Sequence, residues 1–403
     1  MEEETTQLEA AALPRVDLTG CEILDNHCHG FRVHDLLQRD PEGWEDRLTM
    51  MGTCFASSGQ GDAKIATQLA GLRDSTVFTL TARRWLANYL GAAASHDALT
   101  AARHSALTAD PSSYIHGLMA DAHIATVIAD DGYPQPTVTR AEFQESLGLS
   151  VYRVARIEPW IAELQTQSLS FADFEAAFER RLDEAAADRL TVGYKSVIAY
   201  RSGLDVTNPT STEAATSYKS WQAAGWPKDR GPGKMVRDYC LRAALRAARR
   251  HDRVMHIHCG GGDPDIVLAH VRPQDIFPLL HDHMDQPIVL IHSGWPWLAE
   301  AAYVASIMPF VYLDLSEFLP WASVGIDGEL ETLLGVAPSA KLLYGSDEAS
   351  EPEVFWISAR LAREALERVL THAVERDLLS VAEARRIGIG IMGENSKRLH
   401  GIA

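Results

Sequence analysis

Four histidines, a lysine and an aspartate could do chemistry in this chain, and each stands at or near the point where a short apolar run stops. His27 and His29 close the stretch CEILDNHCHG (21–30). In a strand the side-chain period is two, so both imidazoles point to one side and Cys28 to the other. Two imidazoles on one face can grip a metal ion. Lys195 follows in TVGYKSVIAY (191–200), His258 closes RVMHIH (253–258), His292 closes PIVLIH (287–292), and Asp347 comes just after AKLLYGS (340–346). Taken singly, each has an ordinary structural reading. A histidine at a strand end can be a hydrogen-bonded part of the scaffold, Lys195 can run its stem outward along apolar surface, and Asp347 can cap the next helix.

Jointly they suit one kind of chemistry. Imidazole and carboxylate ligands fit Zn²⁺ and related divalent ions, with a coordination position left for water. Such an ion brings the pKa of water down to about 7. A neighbouring aspartate can accept that proton and pass it to a leaving group. A neighbouring histidine can steady the developing oxyanion.

The elements that must position these residues alternate. Candidate strands are EILDN (22–26), IATVIAD (124–130), VYRVARI (151–157), TVGYKSVIAY (191–200), RVMHIH (253–258), PIVLIH (287–292), PFVYLDL (309–315) and AKLLYGS (340–346). Amphipathic helical segments at 171–190, 234–250 and 297–307 lie between them. Strands alternating with helices argue for a parallel sheet, and eight such units predict a (β/α)₈ TIM barrel, whose active site lies at the C-terminal strand ends. An open doubly wound sheet is the alternative, disfavoured because no Gly-rich turn follows the first strand. Residues 31–122 carry helical stretches such as 75–91 and no convincing strand, which predicts a helical insertion in the first βα loop. That insertion can wall a substrate pocket, or serve a purely structural or oligomerising role. The expected plan is a leader at 1–20 and one barrel over 21–403, with C-terminal helices from 352 packing across its outside.

Composition narrows the partners. A formal net charge of −18 argues against nucleic acid and anionic membranes. No apolar run approaches the roughly 20 residues that span a bilayer. The opening MEEETTQLEAAALPRV lacks the basic and apolar regions of a secretory signal. Cys21, Cys28, Cys54, Cys240 and Cys259 are scattered, with no C-x-x-C pair, so a reducing cytoplasm is expected rather than a disulfide framework. The expected partner is a small-molecule substrate, and the expected assembly a homo-oligomer.

The wording around the six residues is more specific than their spacing. LDNHCHG, ARIE (155–158), YKSVIAYRSGL (194–204), IHCGGGDPD (257–265), VLIHSGWPW (289–297), VYLDLSEFLP (311–320), LLYGSDEASEPEVFW (342–356) and GENSKRL (393–399) span nearly the whole chain outside 31–122. Together they resemble the amidohydrolase superfamily, in particular its amidohydrolase 2 group and the amidohydrolase-like domain of FluG and nodulin-like proteins. The resemblance implies that His27, His29 and Asp347 hold the metal or its water. It also makes His258, which precedes a small residue and Gly260, the strand-five ligand, with His256 a core histidine deeper in the barrel. It further implies that Lys195, if carboxylated, bridges two ions together with His258 and His292. Without that carbamate the site holds one ion, and His292 is free for catalysis beside Asp347. Zn²⁺ is the expected ion, with Mn²⁺, Fe²⁺ or Co²⁺ as alternatives.

Substrate contacts follow from position. Arg201 and Tyr200 continue from strand four onto the mouth, where a guanidinium can hold a carboxylate bidentately. Arg156 and Glu158 close strand three, as a mutual ion pair or as ligands. Trp295 and Trp297 can wall the pocket or pack against the insertion. The activity expected is metal-dependent hydrolysis of a C–N bond of amide type, with γ-glutamyl amides as one candidate class. The alternative is a metal-dependent decarboxylase or C–C lyase of the same group. A scaffold that has lost catalysis and a uronate-type isomerase fit less well.

Overall fold

The computed structural model describes residues 15–58 and 62–402, so most of the expected leader lies outside the described residues. Eight strands form one sheet: β1 (Ile23–His29), β2 (Ile124–Asp130), β3 (Ser150–Arg156), β4 (Thr191–Ser196), β5 (Val254–His258), β6 (Ile288–Ile291), β7 (Val311–Asp314) and β8 (Leu342–Leu343). They pair in chain order and every pair is parallel. The last seam is irregular, carried by Asn26 N–H donating to the Tyr344 carbonyl (2.9 Å) and Asp347 N–H donating to the His27 carbonyl (2.9 Å). The result is a (β/α)₈ barrel with helices around it. β4 and β8 are shorter than the sequence suggests. After Ser196 the chain turns into a 3₁₀ turn, Ile198–Tyr200. Past Leu343 it bends around the seam, with Asp347 in left-handed backbone (φ 57°).

Side chains from all around the barrel fill its lower interior. Leu24, Ile128, Val154 and Val192 meet on one side, and Val254, Val289, Ile291 and Leu343 on the other. β1 runs longer than the expected 22–26 and holds both histidines. Its register slips between Asp25 and Cys28. A bulge of this kind re-aims side chains. Leu24 and Asn26 therefore face inward below it, His27 and His29 face inward above it, and Cys28 joins the outer core.

The C-terminal segment does more than pack outside. The helix Pro352–Glu375 lies against the barrel wall, but Asn395–His400 plugs the N-terminal end. Leu399 and Ile402 complete the two interior clusters. Ser396 Oγ donates to Asn26 Oδ1 (2.9 Å), and Asn395 Nδ2 donates to the Leu342 carbonyl (2.9 Å).

Between β1 and β2 the described residues form seven α-helices, from Val33–Gln38 to Pro111–Ala122. In Val77–Leu90 the buried residues Phe78, Ala82 and Leu86 recur at helical spacing and turn one face to the core. The insertion is clamped to the chain just after Asp347. Arg103 Nε donates to Glu353 Oε1 (2.5 Å) and its Nη2 to Glu351 Oε2 (2.5 Å). Arg39 and Arg47 also reach Glu351, and the Tyr114 hydroxyl donates to Glu353 (2.6 Å). Both glutamates are fully buried. Burial opposes the charge on Glu351, yet Arg103, Arg47 and Arg39 outweigh it and hold the carboxyl below its usual range. Among the described residues no cysteine is in a disulfide. Among the described residues no helix is long and apolar enough to cross a membrane.

Candidate functional site

The C-terminal strand ends open into a cavity of about 350 Å³. His27, His29, Lys195, Tyr200, Arg201, His258, His292 and Asp347 all line it, as do Asp130's partner Arg156 and the acids Asp263, Asp265 and Glu317. The insertion supplies Thr53 and Cys54 to the same wall. Trp321, tilted against Phe78 of the insertion, donates its indole N–H to the Leu48 carbonyl (2.9 Å).

Two groups of ligand-type atoms form at the cavity floor. His27, His29 and Asp130 offer one set within 4.8 Å of one another, and His27, His292 and Asp347 a second. His27 Nε2 lies 3.3 Å and His29 Nε2 3.6 Å from Asp347 Oδ1. Burial, followed by the nearby Lys195 charge, holds the His27 imidazole neutral, well below its ordinary pKa. His292 is held low by burial and by His258. Neutral imidazoles beside carboxylates are the donor set that divalent ions of the zinc type take. The buried Nδ1 atoms of His27 and His29 and both oxygens of Glu317 have no hydrogen-bond partner. These residues fit a metal ion.

Lys195 sits between the two groups, with Nζ 3.2 Å from His27 Nε2 and 3.8 Å from Asp130 Oδ2. Burial brings its pKa down to about 8, so an appreciable fraction is the free amine that carboxylation requires. Asp130 accepts from the Arg156 guanidinium at Nε (2.9 Å) and Nη2 (2.5 Å). Burial opposes its charge, but Arg156 prevails and keeps the carboxyl well below the usual range.

His258 lies outside both groups. Its Nε2 is 2.7 Å from the Gly261 carbonyl and its Nδ1 is 3.1 Å from His292 Nε2. A carbonyl only accepts, so Nε2 of His258 carries the proton and Nδ1 does not. His292 Nε2 must then donate, which leaves the His292 lone pair on Nδ1. That atom lies 4.0 Å from Asp347 and 2.9 Å from the Ser316 hydroxyl. Burial holds His258 down to about 3, consistent with this neutral relay. His256, one pleat deeper, bonds His400 (Nε2 to Nε2, 2.9 Å) and takes no part in the mouth.

The expected substrate contacts divide. The Tyr200 ring is tilted against the His258 ring, centroids 4.6 Å apart, and its hydroxyl accepts from Asp263 N–H (3.0 Å). Arg201 is half-exposed at the rim, 3.8 Å from Asp265. Glu158 does not line the cavity and does not pair with Arg156. It accepts from Ser196 Oγ (2.6 Å) and Val197 N–H (2.9 Å), bracing the turn after β4, because Arg156 is already committed to Asp130. Trp295 also stays off the cavity. Its backbone carbonyl takes the Gly261 N–H (2.6 Å), and its ring packs against the core.

Asp130 and Glu317 are site residues the sequence reading passed over. Asp130 ends the second strand, so the strand-end argument that found His292 could have found it. Glu317 carried a weaker signal, since its place depends on a left-handed backbone (φ 68°). His292 (66°) shares that conformation, as Asp347 does. Such conformations cost of order 1 kcal/mol or more and gather at functional sites. Burial, then Asp347, push the Glu317 carboxyl well above its usual range.

Comparison with known proteins agrees with this architecture. Over 94% of its length the chain is 27% identical to Protein fluG of Emericella nidulans, of which it spans 45%. A candidate metal-dependent hydrolase from Lactobacillus casei matches in structure with a TM-score of 0.80 at 23% identity, over 96% of this chain and 98% of that one. A uronate isomerase from Bacillus halodurans shares the fold at a TM-score of 0.64 and 12% identity, over 96% and 94% of the two chains. The family model described as Amidohydrolase matches residues 169–401, which carry β4 to β8 and with them Lys195, His258, His292 and Asp347; the chain belongs to the amidohydrolase family, in its amidohydrolase 2 group.

Proposed function

We propose that this chain is a metal-dependent hydrolase that cleaves a C–N bond in a small-molecule amide, of γ-glutamyl-amide type. The observation that carries the reading is the meeting of His27, His29, His292, Asp130 and Asp347 at one end of the barrel, inside a cavity sized for a small molecule. Membership of the family described as Amidohydrolase supports the amide class.

His27, His29 and Asp130 would hold one ion, and His292 with Asp347 would join His27 in holding it or a second, with Lys195 as carbamate between them. When bound, such an ion supplies a Lewis acid for the amide carbonyl and acidifies water. Asp347 takes up the proton at its carboxylate and returns it to the departing nitrogen. His292, oriented by His258 and the Gly261 carbonyl, turns the lone pair of Nδ1 toward the cavity, where it would serve as a ligand to the ion. Arg201 and Lys228 at the rim hold a substrate carboxylate. Tyr133, edge-on to His29 at 5.7 Å, and Trp321 limit water at the mouth.

The test is a screen of small amides, γ-glutamyl anilides and aromatic acids with the purified chain and added Zn²⁺ or Mn²⁺. Amine release from an amide, abolished by Asp347→Asn, is expected. Release of CO₂ from an acid with no amide cleaved would overturn the hydrolase reading in favour of a decarboxylase.

A further inference from the structure

The acids around the mouth are not alike in their partners. Asp347 faces His27 and His29, Asp265 lies 3.8 Å from Arg201, Asp263 meets the Cys54 thiol, and Asp130 is gripped by Arg156. Glu317 is different. It is 3% exposed, lines the cavity, and neither of its carboxylate oxygens accepts a hydrogen bond. Its only ion-pair neighbour among the described residues is His292 Nδ1 at 3.7 Å, on an imidazole that burial keeps neutral. It belongs to neither group of ligand-type atoms. Gly261 stands opposite, where a side-chain carbon would come into van der Waals contact with Glu317 Oε1 at 3.9 Å, so the bare glycine leaves the cavity side of the carboxyl uncovered.

A buried carboxyl without a donor is costly, and proteins keep one where a ligand satisfies it. We propose that Glu317 is a specificity-determining residue that accepts hydrogen bonds from a primary ammonium group on the substrate. This rests on the reading of the mouth as a substrate site for amide hydrolysis. It deepens that reading, because Arg201 and Lys228 line the same cavity with the opposite charge. One substrate moiety carrying both an ammonium and a carboxylate, as an amino acid does, meets both. Glu317 sits in left-handed backbone (φ 68°), a conformation that gathers at functional sites.

L-glutamate and glutarate differ only by the ammonium group, so their binding to the full chain, purified with its metal and measured by calorimetry, isolates this contact. The expected result is at least about tenfold tighter binding of L-glutamate, the size of one charged hydrogen bond. Glu317→Gln is expected to bind both equally, with metal content unchanged. Equal affinity of the wild type for the two, or binding of neither, overturns the proposal without any variant having to fold. Retention of the preference in Glu317→Gln also overturns it. Loss of metal from that variant would make Glu317 a ligand instead. The hydrolase reading fails separately: a glutamate preference that Glu317→Gln abolishes, with no γ-glutamyl anilide cleaved by the wild type, leaves the ammonium site standing and removes the reaction.

Discussion

His256 and His258 lie two residues apart on β5 and face the same interior, yet they serve opposite ends of the barrel. At the floor, His256 meets His400 from the C-terminal helix, Asn26 bonds Asp314 and Ser396, and apolar side chains seal the rest. At the mouth, four buried polar atoms of His27, His29 and Glu317 have no partner. The floor spends most of its polar groups on one another, with His256 Nδ1 left over among the described residues, and this fixes the fold. The mouth leaves them unspent around a cavity, which is what a binding site requires. The same residue type is thus structural or functional according to what closes around it.

The largest effect expected at the mouth comes from Asp347→Asn. Asparagine tolerates the left-handed backbone that Asp347 adopts, so the fold should persist while turnover falls about 10²- to 10⁴-fold. Turnover and thermal unfolding measured side by side check this, and retained activity would remove the role given to Asp347. Next is the clamp between the two ends. Arg103→Met leaves Glu351 and Glu353 buried with fewer partners and should cost about 3–5 kcal/mol in denaturant unfolding. A smaller loss would mean that Arg39 and Arg47 suffice. At the floor, His400→Leu should cost about 1–3 kcal/mol by stranding His256, with metal content and turnover unchanged. A fall in either would erase the contrast between the ends.

The smallest expected effect is on pH dependence. Burial brings His400 down from an ordinary 6.5 to about 4 in the folded chain. The unfolded chain therefore takes up that proton first. Stability from this group is complete above about 6.5 and is lost as pH falls toward about 4. The mouth histidines held low by burial act in the same sense. His400→Gln should reduce proton uptake on unfolding near pH 5 by up to one proton per molecule, measured from the pH slope of stability. An unchanged slope would contradict the buried pairing of His256.

Much of this was readable in the sequence because it rests on local pattern. All eight strands carry short β-branched or apolar runs, and the family wording around the six reactive residues is dense. What was hidden depends on distant groups or on backbone twist. The bulge in β1, the plug at Asn395–His400 and the turn that aims Glu317 inward leave no periodic trace. Arg156 and Glu158 show the same limit, since the first found Asp130 and the second the turn after β4. Sequence adjacency suggested a pair, and competition among partners decided otherwise.

The central claim is that the mouth, not the floor, is built for a divalent metal. Elemental analysis of the chain purified without chelator tests it most directly, run beside His27→Ala/His29→Ala and His256→Phe. At least one equivalent of metal in the wild type and in His256→Phe, with none in the double variant, is the result expected. A folded, active and metal-free wild type, or metal lost with His256 and kept without His27 and His29, would contradict it.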